Sequence, residues 1–438
     1  MRGSCGRTVL RRRVARRLGC EFADDGLEVA RFAKIAIDGG EADIGDVVER
    51  LQALHHEFAD PVGRDVAVAL RLELAHDAVY HALNALGRRG LGFTAPNPSV
   101  GALIVRNGVV VGRGVTQPGG RPHAERRALT EAGEAARGAT LYVTLEPCSH
   151  HGVTPPCAEA VIEAGLARVV SSIEDADPRV AGRGHALLRQ AGIEVLVGVG
   201  EAEAQRDHRG HFTRVRLGRP MVSLKIARTA DGYAAGDEHD SRLLITGEAA
   251  NARVQVLRSM HDAILVGAGT ALIDDPLLTV RLPGAAARPL RVVLDSRLRL
   301  PAGSRLAATA AAWPTLVITT DDAPADRQKA LEAHGIEVLR VPSDENGRVE
   351  LAAALAALGA RGVTRAFSEG GPEVGAALIR QGLADEVTLI TAPKPLGRAG
   401  LPALSARALE RLDDPANYHL AEISRFEPDE LRRWDRRA

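Results

Sequence analysis

The sequence predicts an α/β protein, with two α/β domains behind a short helical N-terminal extension. Three observations carry this. The chain has 438 residues, enough for two to three domains at roughly one to two hundred residues each. Its composition, 45% apolar and 26% charged, is that of a packed soluble chain and excludes disordered and fibrous classes. From about Leu74 onward, short apolar runs alternate with segments of helical periodicity, the pattern of layered α/β architecture. The expected boundaries are 1–72 for the extension, 73–216 for the first α/β domain and 217–438 for the second.

Taken in order, residues 1–20 carry seven arginines and no acid, and no apolar core of signal-peptide length follows. They read as a solvated tail or an upstream start, with a targeting peptide as the alternative. Val47, Leu51, Leu54 and Phe58 have helical spacing, which predicts a small helical appendage over 27–72. Leu74–Leu86 reads as a helix stopped by Gly87 and the glycines at 90 and 92. Ala102–Val105 and Val109–Gly112 read as strands around an Asn107-Gly108 turn, a strong hairpin signal. A helix over Ala124–Ala132, a strand at Thr140–Thr144, a helix near Ala158–Ala164, a strand at Arg168–Ser172, a helix near Gly184–Ala191 and a strand at Glu194–Val197 complete the first domain. The segment 201–218 reads as a connection. Seven further strands are expected, at Met221–Ile226, Ala263–Val266, Leu290–Leu294, Thr315–Thr319, Glu337–Arg340, Arg365–Ser368 and Glu386–Thr391.

Charge and residue scarcities narrow the function. Lys+Arg and Asp+Glu balance at 56 each and aromatics make up 3%, which argues against a dedicated nucleic-acid binder. The longest apolar runs, such as Ala263–Ala268, fall far short of the roughly 20 residues of a membrane span. Four cysteines (Cys5, Cys20, Cys148, Cys157) make no disulfide scaffold, so a reducing cytoplasm and a metal or catalytic use are expected. Only four lysines are present, which singles out Lys225 in its apolar strand.

His123-Ala124-Glu125 opens a helix, and Pro147-Cys148 and Cys157 follow. One imidazole and two thiolates suit Zn²⁺, and three protein ligands leave a fourth position for water, the arrangement of a catalytic site. Glu125, two residues past the histidine, is placed to move protons. Zinc deaminases carry His-x-Glu with Pro-Cys-x-x-Cys; here eight residues separate the cysteines instead of two. The competing explanation is that both cysteines are small buried apolar groups.

Around these residues the chain reads Asn97-Pro98-Ser99-Val100-Gly101, Thr144-Leu145-Glu146-Pro147-Cys148-Ser149-His150-His151-Gly152 and Thr154-Pro155-Pro156-Cys157. Further on come Leu224-Lys225-Ile226-Ala227, Thr229-Ala230-Asp231-Gly232, Asp274-Asp275-Pro276-Leu277-Leu278-Thr279-Val280-Arg281, Val293-Leu294-Asp295-Ser296, Glu369-Gly370-Gly371-Pro372 and Ala392-Pro393-Lys394. Over about residues 76–415 the chain resembles the bifunctional riboflavin-biosynthesis family, a diaminohydroxyphosphoribosylaminopyrimidine deaminase fused to a 5-amino-6-(5-phosphoribosylamino)uracil reductase. The resemblance implies a cytidine-deaminase-like three-layer α/β/α domain followed by a dihydrofolate-reductase-like α/β domain. It implies Zn²⁺ on His123, Cys148 and Cys157, Glu125 as the proton shuttle, and Asn97 and His150 facing the pyrimidine.

For the second domain the resemblance implies NADPH as reductant. Substrate contacts are expected from Lys225, Ser241, Arg258, Leu278, Arg281 and Glu369. Cofactor contacts are expected from Ala227, Thr270, Asp274, Ser296 and the 371–377 turn (Gly371, Pro372, Glu373, Val374, Gly375, Ala376 and Ala377). Read from the residues alone, Gly370-Gly371 is a backbone approach to a cofactor phosphate or a plain turn, and Lys225 a substrate contact or a snorkelling lysine. Arg258 and Arg281 are phosphate partners or solvated side chains, and Asp274-Asp275 could be a turn before Pro276. The expected partners are a phosphorylated pyrimidine and further copies of the chain in a homo-oligomer, with no nucleic acid and no membrane.

Three departures from the family pattern are visible. Thr116 stands where a histidine is usual and Val153 where Lys or Arg is usual. Ser241-Arg242-Leu243-Leu244-Ile245-Thr246 lacks the family's tryptophan. They frame a second reading, a paralogue acting on a related pyrimidine in a specialised pathway with one half impaired. A nucleic-acid deaminase or RNA-binding module is a third.

Overall fold

The computed structural model describes residues 79–237 and 243–437. The helical expectation over 27–72, Cys5, Cys20 and Ser241 lie outside them. Leu83–Ala438 forms one compact unit, and it contains two sheets.

The first sheet has five strands: β1 (Gly101–Arg106), β2 (Val109–Val115), β3 (Thr140–Val143), β4 (Arg168–Ser171) and β5 (Glu194–Val197), in the order β2-β1-β3-β4-β5. The β1–β2 hairpin turns at Asn107 and Gly108, both at positive φ (52° and 78°), as an Asn-Gly turn requires. Helix α1 (Ala124–Ala132) buries Ala124, Ala128 and Ala132, one face at four-residue spacing. It packs so closely on β2 that a Cβ at Gly112 or Gly114 would lie 2.2 or 1.9 Å from a helix carbonyl. Glycine at both positions is what lets α1 sit flat on the sheet. Helix α2 (Cys157–Glu163) and helix α3 (Arg183–Gln190) complete the layers around a core that includes Leu141, Val143, Val161, Val169 and Leu188.

The segment expected to be a plain connection folds into two helices, α4 (Glu201–Asp207) and α5 (Arg209–Leu217). Their buried positions are Ala204, His208, Gly210, His211, Phe212 and Thr213, so histidine, glycine and threonine occupy places where periodicity analysis looks for aliphatics. Helix α5 joins the two sheets. His208 and His211 reach Thr144 and Asp175 of the first at 3.0 and 2.9 Å. Arg214 donates to the Gly359 carbonyl at 2.9 Å, and Arg209 pairs with Asp435 of the second at 3.1 Å.

The second sheet has nine strands: β6 (Met221–Arg228), β8 (Ala263–Gly267), β9 (Leu290–Leu294), β10 (Thr315–Thr320), β11 (Glu337–Val341), β12 (Arg365–Ser368), β13 (Glu386–Thr391), β15 (Tyr418–Phe426) and β16 (Asp429–Arg436), in the order β11-β10-β9-β8-β12-β6-β13-β16-β15. All seven expected strands are present within a residue or two of their bounds, and a short ribbon of β7 (Tyr233–Ala235) with β14 (Leu401–Pro402) lies apart. The run from β11 to β13 is parallel, covered on its faces by helices that include α6 (Glu248–Ser259), α7 (Ala268–Asp274), α10 (Leu351–Ala360) and α11 (Pro372–Arg380). The remaining helices are α8 (Arg305–Ala308), α9 (Ala325–Glu332) and α12 (Ala406–Asp413). Such strands read as continuous apolar runs because both faces are buried, which is why they were legible. The antiparallel hairpin β15–β16 was not expected, since it is built largely from charged and polar residues.

The chain leaves β8 toward β9 and leaves β12 toward β13, so neighbouring strands β8 and β12 run on in opposite directions. That is a topological switch point, and ligands of open parallel sheets bind beyond the strand ends there.

Candidate active sites

In the first domain, His123 caps α1, Cys148 lies in the loop after β3 and Cys157 begins α2. His123 Nδ1 is 3.6 Å from Cys148 Sγ and 3.3 Å from Cys157 Sγ, and all three donor atoms lie within 4.8 Å of one another. An imidazole nitrogen and two sulfurs converging on one point fit Zn²⁺. The other imidazole nitrogen, Nε2, is 3.4 Å from Asn97 Nδ2, which also donates to the Gly120 carbonyl at 2.9 Å. Asn97 thus sits against the ring nitrogen that faces away from the sulfurs.

Protonation without metal is uneven. A hydrogen bond from the Cys157 thiol, with further help from His123 and the Cys157 backbone N–H, brings the Cys148 thiol down to about 4. That same bond, with burial, pushes the Cys157 thiol up. His123 is raised, chiefly through its bond to Cys148. Loading a metal therefore means displacing protons from Cys157 and His123.

Glu125 is 3% exposed on the first turn of α1, and burial raises its carboxyl above the usual range. A carboxyl whose pKa is raised by burial beside a metal site is suited to taking up and returning a proton. His150 is half-buried in the same loop as Cys148, and its Nδ1 is buried without a hydrogen-bond partner.

Glu146, two residues before Cys148, is one that sequence reasoning passed over. Its buried carboxylate accepts four backbone N–H groups, from Gly184 and His185 on Oε1 (2.8 and 3.2 Å) and from Asp175 and Gly182 on Oε2 (3.2 and 2.9 Å). It ties the cysteine loop to the start of α3. It sits in the motif around Cys148, but its partners lie 29–39 residues away and leave no local signal.

The departures behave differently. Thr116 is buried, and its hydroxyl accepts the Val100 N–H at 3.0 Å, so it braces the fold and does not face a ligand. Val153 is 85% exposed and Leu244, beside the missing tryptophan, is 83% exposed.

In the second domain, Glu369 follows β12 and Arg258 ends α6. The two were expected to contact substrate separately. The structure pairs them, with Arg258 Nε and Nη2 on the two carboxylate oxygens at 2.5 and 2.9 Å and Nη1 on the Thr279 carbonyl at 3.0 Å. A separation of 111 residues hides this pairing from sequence. Burial pushes the Glu369 carboxyl up, but the charges of Arg258, Lys225 and Arg281 outweigh it and hold the group below the usual range. The charges of three cations thus act on this one carboxylate.

Leu278 lies between and has φ of 51°, a left-handed conformation costly for leucine. Its neighbours are clamped from inside the domain. Arg291 Nη1 donates to the Leu277 carbonyl at 3.2 Å, Arg258 to that of Thr279, and Gln255 Oε1 accepts the Arg281 N–H at 2.9 Å. Arg291 is fully buried, and its two terminal nitrogens also donate to Thr309, Leu306, Trp313 and Thr315, while Nε is buried without a partner.

The switch point between β8 and β12 is lined by glycines. A Cβ on Gly267 would come 2.9 Å from Val374, one on Gly370 2.8 Å from Val374, and one on Gly371 3.0 Å from Thr270 Oγ1. Side chains larger than hydrogen would fill this cradle, which fits a dinucleotide approaching at Gly371, the N-cap of α11. The expected 371–377 turn is shorter than thought, since Pro372–Arg380 is helical and Gly375 and Ala376 pack inward, Gly375 against Leu224 and Ile226. Thr270 and Asp274 lie on α7 beside the cradle and Ala227 on β6. Ser296 accepts the Val349 N–H at 2.9 Å.

Comparisons with known proteins match both domains. A protein-family profile described as the cytidine and deoxycytidylate deaminase zinc-binding region matches residues 74–173, and one described as the RibD C-terminal domain matches 220–429. The riboflavin biosynthesis protein RibD of Bacillus amyloliquefaciens is 39% identical over 345 residues, covering 78% of this chain and 92% of that protein. That of Escherichia coli (strain K12) is 40% identical over 356 residues, covering 78% and 95%. Among solved structures, Acinetobacter baumannii RibD superposes with a TM-score of 0.73 at 33% identity, covering 84% of this chain and 100% of that one. No described helix is long and apolar enough to cross a membrane.

Proposed function

The chain belongs to the RibD family of riboflavin-biosynthesis proteins, bifunctional enzymes with a zinc-dependent deaminase domain and an NADPH-dependent reductase domain, and from that premise we propose how its residues divide the two reactions. The observation that carries the proposal is the convergence of His123, Cys148 and Cys157 beside the buried Glu125.

In the first step, 2,5-diamino-6-ribosylamino-4(3H)-pyrimidinone 5′-phosphate loses an amino group by hydrolysis. Zinc held by His123, Cys148 and Cys157 supplies a Lewis acid that lets water ionise near neutral pH. Glu125 accepts a proton of the attacking water and delivers it to the amino nitrogen, and the remaining hydroxyl proton passes to the ring nitrogen, so ammonia leaves and the ring carbon gains a carbonyl. The raised pKa of Glu125 suits it to both transfers. Asn97 lies beside His123 and, with His150, faces the pyrimidine.

In the second step, bound NADPH would supply the hydride for converting the ribosyl group to ribityl at its C1′. Lys225, Arg258 and Arg281 bind the substrate phosphate around Glu369, which keeps Arg258 in place, while Leu278 and Ser241 complete the substrate contacts. Gly371, Thr270, Asp274, Ala227 and Ser296 form the cofactor side.

The reading as a paralogue rested on Thr116, Val153 and the missing tryptophan. Identity near 40% over nine-tenths or more of the relatives favours the riboflavin enzyme instead. The free thiols of Cys148 and Cys157 suit a reducing cytoplasm. Exposed Leu420 and Ile423 on the outer strand β15 support a homo-oligomer.

The test is a stoichiometry. Zinc-loaded enzyme given the diaminopyrimidine should release ammonia without NADPH. With NADPH, one equivalent should be oxidised per ammonia. Oxidation of NADPH with no ammonia released would contradict the order of steps.

A further inference from the structure

Among the described residues at the rim of the zinc site, one guanidinium has no carboxylate or carbonyl partner. Arg121 stands two residues before His123 and crosses to the loop between the two cysteines, where Nη1 donates to Thr154 Oγ1 at 2.6 Å. A Cβ built on Gly152 would lie 3.4 Å from Nη2, so the guanidinium lies along the 152–154 turn. It is close enough to His123 for its charge to act on that ring. The neighbouring cations are engaged differently. Arg179 grips Asp177 with contacts down to 2.5 Å, Arg126 donates to the Pro155 and Pro156 carbonyls, and His151 lies 3.1 Å from Glu159.

A guanidinium has five N–H donors in a planar fork, and a single hydroxyl uses one of them. The rest are arranged for an oxyanion, and Thr154 fixes the direction in which they point. Val153 lies beside them and is apolar and exposed, so it supplies no donor of its own.

We propose that Arg121 is the anion receptor of the deaminase site, binding the phosphate of the ribosyl phosphate while the pyrimidine lies over the zinc ligands. This rests on the reading that the deaminase takes a phosphorylated pyrimidine, and it adds a residue that sets specificity. Thr154 is a positioning residue for Arg121.

The experiment compares kcat/KM for deamination of the phosphorylated diaminopyrimidine and of its dephosphorylated counterpart. R121Q should lower the first by about 10- to 100-fold, mostly through KM, the scale of a lost charge-assisted bond. It should change the second by less than about threefold, so the preference for phosphate collapses. R121K keeps a point charge without the fork and should fall between; T154V should lose less than R121Q. Ribose 5-phosphate should inhibit wild-type deamination competitively and lose potency against R121Q. Zinc content, equal in all variants, controls for folding. An equal loss on both compounds would reduce Arg121 to a loop staple, and an unchanged preference would remove it from the site; either overturns the proposal. Wild-type enzyme that deaminates neither compound would instead sink the functional reading on which the proposal stands.

Discussion

Replacing Glu146 with glutamine tests how the zinc loop is held. The carboxylate takes two backbone N–H groups on each oxygen. Glutamine keeps one oxygen and turns an NH₂ toward the other two donors, so two bonds to a charged acceptor are lost and two buried N–H groups face a third donor. At about 1.5–3 kcal/mol per bond to a charged group, the loss is roughly 3–6 kcal/mol, less what is recovered by no longer burying a charge. A net of about 3 kcal/mol corresponds to about 100-fold in an opening equilibrium. The assay is amide hydrogen exchange of the 175–190 peptide, which carries the four donors, with zinc content measured in parallel. Exchange there should accelerate about 100-fold, while peptides of β8 and β9 stay unchanged. Zinc affinity should fall about tenfold, because Pro147 and Cys148 follow Glu146 directly. Exchange within about threefold of wild type, with full zinc retention, would refute the reasoning, since four such bonds could not then be holding the loop.

Glu125→Gln should lower deamination by about 10²- to 10⁴-fold with zinc content unchanged, because Glu125 moves protons and is not a ligand; metal analysis and ammonia release check both halves. Zinc affinity should fall as pH drops from about 8 to 6, since His123 and Cys157 are raised and must release protons to bind. Equilibrium dialysis showing a flat profile would contradict that. Glu369→Gln leaves Arg258 buried against a neutral amide and should cost about 3–5 kcal/mol. Because the Glu369 pKa is depressed, its contribution is present above the ordinary carboxylate range and is lost as pH falls through the folded value. Denaturation curves of variant and wild type should therefore converge as pH falls below the ordinary carboxylate range. Arg291→Lys cannot reach all five of its acceptors and should destabilise the second domain by about 3 kcal/mol and raise the reductase KM, as the loop carrying Leu278 loosens.

How much of this was visible in the sequence depends on how far apart the interacting residues lie. The zinc donors and Glu125 sit in short motifs at the starts of helices, and the structure brings the donors together as the spacing implied. The parallel strands were legible because burial on both faces leaves an uninterrupted apolar run, as in Ala263–Gly267. Helices α4 and α5 were not, because their inward faces use His208, Gly210 and His211 in place of aliphatics. The β15–β16 hairpin was missed because strands such as Asp429–Arg436 alternate charged residues with few apolar ones. Long-range polar pairs were out of reach altogether: the Arg258–Glu369 pair, the clamp of Arg291 on Leu277 and the four-donor cradle of Glu146 all depend on partners that only the fold assembles. Arg121 was indistinguishable among 52 arginines until its guanidinium was found lying across the cysteine loop.

The central claim is that two sites on one chain act in succession, and NADPH oxidation by the Glu125→Gln variant tests it most directly. Given the deaminated aminouracil phosphate, the variant should oxidise NADPH at the wild-type rate; given the diaminopyrimidine, it should oxidise almost none. Wild-type rates of oxidation with the diaminopyrimidine would contradict the account, since reduction would then not depend on the deamination assigned to Glu125.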